Sequence, residues 1–105
     1  MYTRNVSMKL KANSEKEFTR TLENEVIPML RKQKGFKDEI TLLTPEHNDA
    51  VAISFWDKKE DAEAYNRDKY PEILKSLSKV VEGTPRVESF EVANSTSHHI
   101  AANVA

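Results

Sequence analysis

The chain has 105 residues, 38% apolar and 31% charged, which is room for one domain with one core under a densely charged surface and excludes a second domain. Its 16 basic and 17 acidic residues nearly cancel and are interspersed, so no block of one sign exists to release phosphate counterions or to hold an anionic bilayer, and nucleic acid and membrane are not expected as partners. There is no cysteine, which excludes disulfides, thiolate nucleophiles and sulfur-based zinc sites, and no run of about 18 apolar residues for a membrane span, so the expected compartment is the cytoplasm.

From Tyr2 to Leu10 the even positions Tyr2, Val6, Met8 and Leu10 are apolar and the odd ones polar, the period of a half-buried strand, with Arg4 the exception on the apolar face. Ser14 and Glu17 have capping-box spacing and predict a helix start. The stripe Phe18, Leu22, Val26, Met29 and Leu30 carries that helix from about Glu15 to Lys34, with Gly35 as its stop. Pro28 inside it removes an amide and clashes with the preceding turn, predicting a kink or break near Val26.

Phe36 to Thr44 reads as a second strand with Phe36, Ile40 and Leu42 on one face, and Ala50 to Trp56 as a third, joined by a hairpin loop over Pro45 to Asp49. The third strand is apolar on both faces, so something must cover the face that the helices leave open. Asp57 and Glu60 repeat the capping-box spacing, and a helical stripe continues from Ala62 through Tyr65, Tyr70 and Leu77 to Val81, with Gly83 as its stop and Pro71 splitting it. Thr84 to Val92 reads as a fourth strand, with Val87 on one face and Phe90 and Val92 on the other. The order βαββαβ predicts a ferredoxin-like α+β domain over residues 1–93, a four-stranded antiparallel sheet with two helices on one face. Residues 94–105 are a small, polar tail, either free or held by its own domain or a neighbouring subunit, with docking on a dimer partner the expectation.

The segments Glu25-Val26-Ile27-Pro28-Met29-Leu30-Arg31-Lys32-Gln33-Lys34-Gly35-Phe36 and Ser54-Phe55-Trp56-Asp57-Lys58-Lys59-Glu60-Asp61-Ala62-Glu63-Ala64-Tyr65, in that element order, resemble the antibiotic biosynthesis monooxygenase family over about residues 2 to 93. The resemblance implies a homodimer closed through the open sheet faces into an α+β barrel, which would cover the third strand. It also implies cofactor-independent oxidation of aromatic phenols by some members, with neither metal nor flavin. A haem-degrading branch is not matched: Tyr65 stands near that branch's tryptophan, no histidine follows it in Asp68-Lys69-Tyr70-Pro71-Glu72-Ile73-Leu74, and Asn5 has the parity that points away from the helices.

If a pocket lies between helices and sheet, its polar contributors are Arg4, Ser54 or Trp56, Tyr65 and Tyr70, which sit on or beside apolar stripes where polarity needs explaining. Either tyrosine could donate to a developing phenolate or peroxide oxygen, Trp56 could stack on a ring, and Arg4 could hold negative charge. The plainer alternative makes the tyrosines and Trp56 core residues with polar tips at the surface, and Arg4 a snorkelling cation paired with Glu88 or Glu91. No general base is identifiable, so no catalytic residue is assigned. No metal site is expected, because His98 and His99 are adjacent and His47 lies in a distant hairpin. A phosphate loop is excluded because both glycines are accounted for as helix stops. The expected function is therefore a homodimer with a small-molecule pocket that oxidises or merely binds an aromatic compound, or else a non-catalytic dimer whose pocket is filled by its own side chains.

Overall fold

The computed structural model describes residues 1–100 of the chain. Strands β1 (Tyr2–Leu10), β2 (Phe36–Leu43), β3 (Asp49–Trp56) and β4 (Val81–Glu91) form one antiparallel sheet in the order β2-β3-β1-β4. Its helical face is covered by α1 (Glu15–Thr21), a π-helical turn (Leu22–Val26) and α2 (Ile27–Arg31) on one connection, and by α3 (Lys59–Asp68) and α4 (Tyr70–Leu77) on the other. The fold is the expected ferredoxin-like α+β arrangement. The even residues of β1 and β3 face the helices: Val6, Met8, Leu10, Ala50 and Trp56 are buried there with Phe18, Leu22, Leu30, Ile73 and Leu77.

Pro28 explains the interrupted first helix. Its ring would meet the carbonyl of residue 24 in a regular helix. The chain instead widens by one residue, so that the Ile27 amide donates to the Leu22 carbonyl five residues back, and Pro28 falls in the first turn of α2, where no amide is needed. The break expected near Val26 is this π turn. The helix stops at Arg31 rather than Lys34, and Gly35 (φ +78°) turns the chain into β2, its carbonyl accepting from the Asp57 amide at 2.8 Å.

Several local expectations are corrected. Neither capping box forms: the Ser14 hydroxyl caps no amide of α1, and α3 begins after Lys58, leaving Asp57 to pair with Lys37 at 3.2 Å. The second helical region does divide beside Pro71, at Lys69. It ends at Leu77, because Val80 and Val81 are used by β-structure: Lys11 donates to the Val80 carbonyl at 2.9 Å and Val81 pairs with Leu10. Gly83 (φ +65°) is therefore no helix stop but part of a bulge in β4, where Glu82 to Arg86 spans only Lys9 to Ser7 on β1; Pro85, which has no amide to donate, falls in the same bulge.

The faces of β2 also differ from the alternation read off its sequence. A bulge between Phe36 and Asp38 resets the parity, so Phe36 packs on Trp56 on the helical side, while Ile40 and Leu42, opposite Ile53 and Val51, lie on the open face. Glu39 and Leu43, paired with Ser54 and Ala50, face the helices instead. The open face thus carries Ile40 (44% exposed), Leu42 (52%) and Phe90 (50%) alongside Val51, Ile53 and Phe55. Val87 pairs with Val6 and belongs to the other side.

The tail is not free over its described part. Reciprocal 2.8 Å backbone hydrogen bonds between Ser95 and Ile100 close a small loop that sets the His98 ring on Phe55, centroids 5.0 Å apart, with Nε2 3.6 Å from Asp38 Oδ2. Residues 95–100 therefore sit on their own subunit's open face. Residues 101–105 lie outside the described part, and so does the rest of the expected docking of the tail.

Candidate functional site

Adjacent strands fix the site's floor. Arg4 on β1 is opposite Ser54 on β3, and Ser54 is opposite Glu39 on β2, so a base, a small hydroxyl and an acid form one row across the sheet, all facing the helices. The walls come from above: Tyr65 from α3, Tyr70 from α4, and Leu22 and Val26 from the π turn. Between floor and walls is an apolar cavity of about 40 Å³, lined by Arg4, Glu39, Ser54, Tyr65 and Tyr70 together with aliphatic side chains such as Met8 and Ile73. That holds a few waters at most; an apolar cavity that takes up benzene is about 150 Å³.

Arg4 is 3% exposed, so it neither snorkels nor reaches Glu88 or Glu91. Its guanidinium lies 4.5 Å from the centre of the Tyr70 ring and 5.1 Å from that of Tyr65, and Nη2 donates to Asn66 Oδ1 at 2.7 Å. Among the described residues it forms no ion pair. Two ring faces and a carboxamide are weak compensation for a desolvated cation, and burial lowers the Arg4 pKa below its ordinary value against the opposing pull of the two tyrosines. Beyond Arg4 is a surface cleft of about 220 Å³ lined by Tyr2, Glu63, Asn66, Val87 and Ser89, so this side chain separates the interior cavity from an opening to solvent.

The tyrosines do not keep their tips at the surface. Tyr65 is 4% exposed and burial pushes its pKa up to about 12, while the Tyr70 pKa is raised by the same cause and its hydroxyl is buried with no hydrogen-bond partner among the described residues. An orphan hydroxyl beside a buried, unpaired cation is an arrangement waiting for an acceptor.

Trp56, expected to stack on a ligand's ring, stands behind the cavity wall rather than on it. It is fully buried and does not line the cavity: Phe36 meets its ring edge-on at 5.6 Å, Tyr65 covers it at 5.1 Å, and its Nε1 donates to Ser54 Oγ at 2.9 Å. It positions Tyr65 and Ser54.

Glu39 was missed by sequence reasoning. Burial raises its pKa, and Oε2 accepts from Thr41 Oγ1 at 2.6 Å. It supplies a carboxylate able to accept a proton where none had been found. The bulge at Phe36–Asp38 hid it, because alternation counted from Phe36 puts Glu39 on the open side. Asn66 was missed as well: it is an exposed residue of α3 that reaches Arg4 from the rim of the surface cleft, and nothing in its spacing marks it. The described residues contain no cluster of histidine and carboxylates suited to a metal, and no helix long and apolar enough to cross a membrane.

No family model matches the chain, and no curated protein matches it. Solved structures do. SnoaB, a cofactor-independent oxygenase from Streptomyces nogalater, superposes with a TM-score of 0.76 at 14% identity over 90% of this chain and 95% of that one. The ActVA-Orf6 monooxygenase of Streptomyces coelicolor, in complex with the ligand nanaomycin D, gives 0.75 at 12% identity over 90% and 88%. A protein of unknown function from Nitrosomonas europaea gives 0.72 at 13% over 99% and 93%. The structural neighbours are thus antibiotic biosynthesis monooxygenases and proteins of unassigned function, and at these identities the likeness is one of fold.

Proposed function

We propose that this chain, with the fold of the antibiotic biosynthesis monooxygenases, works as a homodimer closed through its open sheet face, each subunit binding a small aromatic molecule between helices and sheet. Residues 1–93 are the folding unit in this reading and 94–105 an appendage to it. The observation that carries it is the cavity's polar inventory: among the described residues, a buried Arg4 with no counter-ion beside a Tyr70 hydroxyl with no partner. A core built only for packing would not keep both, since each costs free energy until an acceptor arrives.

Arg4 and Tyr70 would hold a ligand's anionic oxygen, and Tyr65 and Ser54 would flank its ring. Cofactor-independent oxidation is the finer reading. It is supported by the name of SnoaB as a cofactor-independent oxygenase and by a site in which two buried hydroxyls and a guanidinium could stabilise a phenolate that itself reduces oxygen.

One observation favours the non-catalytic alternative, a ligand-binding or structural dimer without turnover. The cavity of about 40 Å³ does not take a ring until Leu22 and Val26 of the π turn give way. π turns are frequent at functional sites, which makes this the wall best suited to move. The deciding experiment soaks crystals with a panel of phenols and follows oxygen uptake in solution. Density beside Arg4 and Tyr70 with oxygen consumption supports the oxygenase, and density without consumption supports the binding protein. A closed, empty cavity throughout would leave only the structural dimer.

A further inference from the structure

The apolar open face is already assigned to a second copy of the chain. The His98–Asp38 contact on that face is exposed on the Asp38 side and leads directly into residues outside the described part. The row Glu39–Ser54–Arg4 goes further than either, because it restricts what the cavity can accept.

Glu39 and Arg4 lie in one row two strands apart, on opposite sides of the short Ser54 side chain, and they have separate partners: Glu39 is held by Thr41 and Arg4 by Asn66. With strands about 4.8 Å apart, the two residues are rooted roughly 10 Å from each other, a separation suited to one six-membered ring with a polar atom at either end rather than to a fused ring system. The middle of the row is small and the walls are aliphatic apart from Tyr65 and Tyr70, so the space between the charged ends is shaped for an apolar body. The Tyr70 ring lies against the guanidinium, which puts the hydrogen-bond donors at the Arg4 end and an acceptor at the Glu39 end.

We infer that the ligand is a single-ring aromatic acid carrying a hydroxyl opposite its acid group: the anionic oxygen docks on Arg4 and Tyr70, and the hydroxyl donates to Glu39. This rests on the small-molecule reading above and narrows it to a ligand class with polarity at both ends. Glu39 gives the site its direction. An aromatic acid lacking the hydroxyl leaves Glu39 with Thr41 as its side-chain donor and nothing from the ligand, and a phenol lacking the acid leaves Arg4 without a counter-ion, so each half-ligand forfeits one end of the row.

The test is calorimetric titration of the full chain with 4-hydroxybenzoate, benzoate and phenol. One hydrogen bond to a charged acceptor corresponds to about tenfold or more in affinity, so 4-hydroxybenzoate should bind about tenfold tighter than benzoate, and both tighter than phenol. Glu39→Met should bring the ratio of the 4-hydroxybenzoate and benzoate affinities to about one, with benzoate still bound, which a misfolded variant could not do. Glu39→Gln, which keeps an acceptor, should restore part of the preference. Arg4→Met should weaken both acids and spare phenol. Equal binding of 4-hydroxybenzoate and benzoate, or a preference that survives Glu39→Met, overturns the two-ended site while the pocket itself stands. Failure of all three probes to bind overturns the small-molecule reading and this inference with it.

Discussion

Replacing Tyr70 by phenylalanine should make the protein more stable, a sign opposite to that of most core substitutions. The ring's packing is retained, since its contacts with Arg4 and Tyr65 are made by the ring, at 4.5 Å and 6.3 Å between centres. What is lost is one buried hydroxyl without a partner. Leaving such a group unsatisfied costs about 1–3 kcal/mol, and part of that is offset by small relaxations, so a gain of about 1 kcal/mol is expected. For a domain of this size that is a rise in Tm of about 4–8 °C. The assay is urea and thermal unfolding followed by the fluorescence of Trp56, the only tryptophan and fully buried, at one protein concentration because a dimer's stability depends on it. The same variant should bind an anionic aromatic more weakly. A loss of 1 kcal/mol or more would refute the reasoning: it would mean that the hydroxyl is already satisfied, and that the cavity is a finished core rather than a site awaiting an acceptor.

Ser54→Ala should act in the opposite direction, destabilising by about 1–3 kcal/mol in the same unfolding assay, because it strips the buried Trp56 Nε1 of its 2.9 Å partner. Tyr65 gives a pH dependence. Its pKa is pushed from 10.0 to about 12 on folding, so the native state binds the phenolic proton more tightly, and the associated stability is intact below about pH 10 and lost as pH rises towards about 12. The loss is on the order of 3 kcal/mol, and Tyr65→Phe should abolish that part of the alkaline decline in denaturation midpoints. Gly35→Ala should cost more than the roughly 1–2 kcal/mol of a left-handed alanine, because its Cβ would lie 2.1 Å from Asp61 Oδ2; adding Asp61→Ala should recover only part, since the Asp61 Cβ at 2.8 Å stays. Ile40→Lys and Leu42→Lys, on exposed positions of the open face, should change subunit stability by no more than about 0.5 kcal/mol, yet halve the mass measured by light scattering at micromolar concentration. A wild-type monomer in that measurement would contradict the dimer.

The fold was legible because its signals are periodic and repeated. Alternation in Tyr2–Leu10, the doubly apolar Ala50–Trp56 and the two prolines that interrupt helices each follow from one local rule, and each is found in place. What misled were rules whose local signature was present but whose tertiary alternative was better. Ser14 and Glu17 have the spacing of a capping box, yet the Ser14 hydroxyl contacts the Ala12 carbonyl at 3.5 Å and caps nothing. Gly83 follows a helical stripe, but the demand of β1 for a partner at Leu10 takes Val81 into the sheet and moves the glycine into a bulge.

The site was legible for a different reason. Arg4 interrupts an apolar strand face, and Tyr65 and Tyr70 sit on helical stripes, so polarity at core positions identified three residues that meet within about 6 Å of one another. Glu39 escaped because a bulge shifts parity by one residue and moves every later side chain to the opposite face, which no alternation count survives. The error has a physical consequence for how such sites arise. An acid placed on a strand for solvent can be turned into the interior by one inserted residue, where its carboxylate is desolvated and its pKa rises. The bulge that kept Glu39 out of the sequence reading is also what brings a proton acceptor to face Arg4 across the cavity.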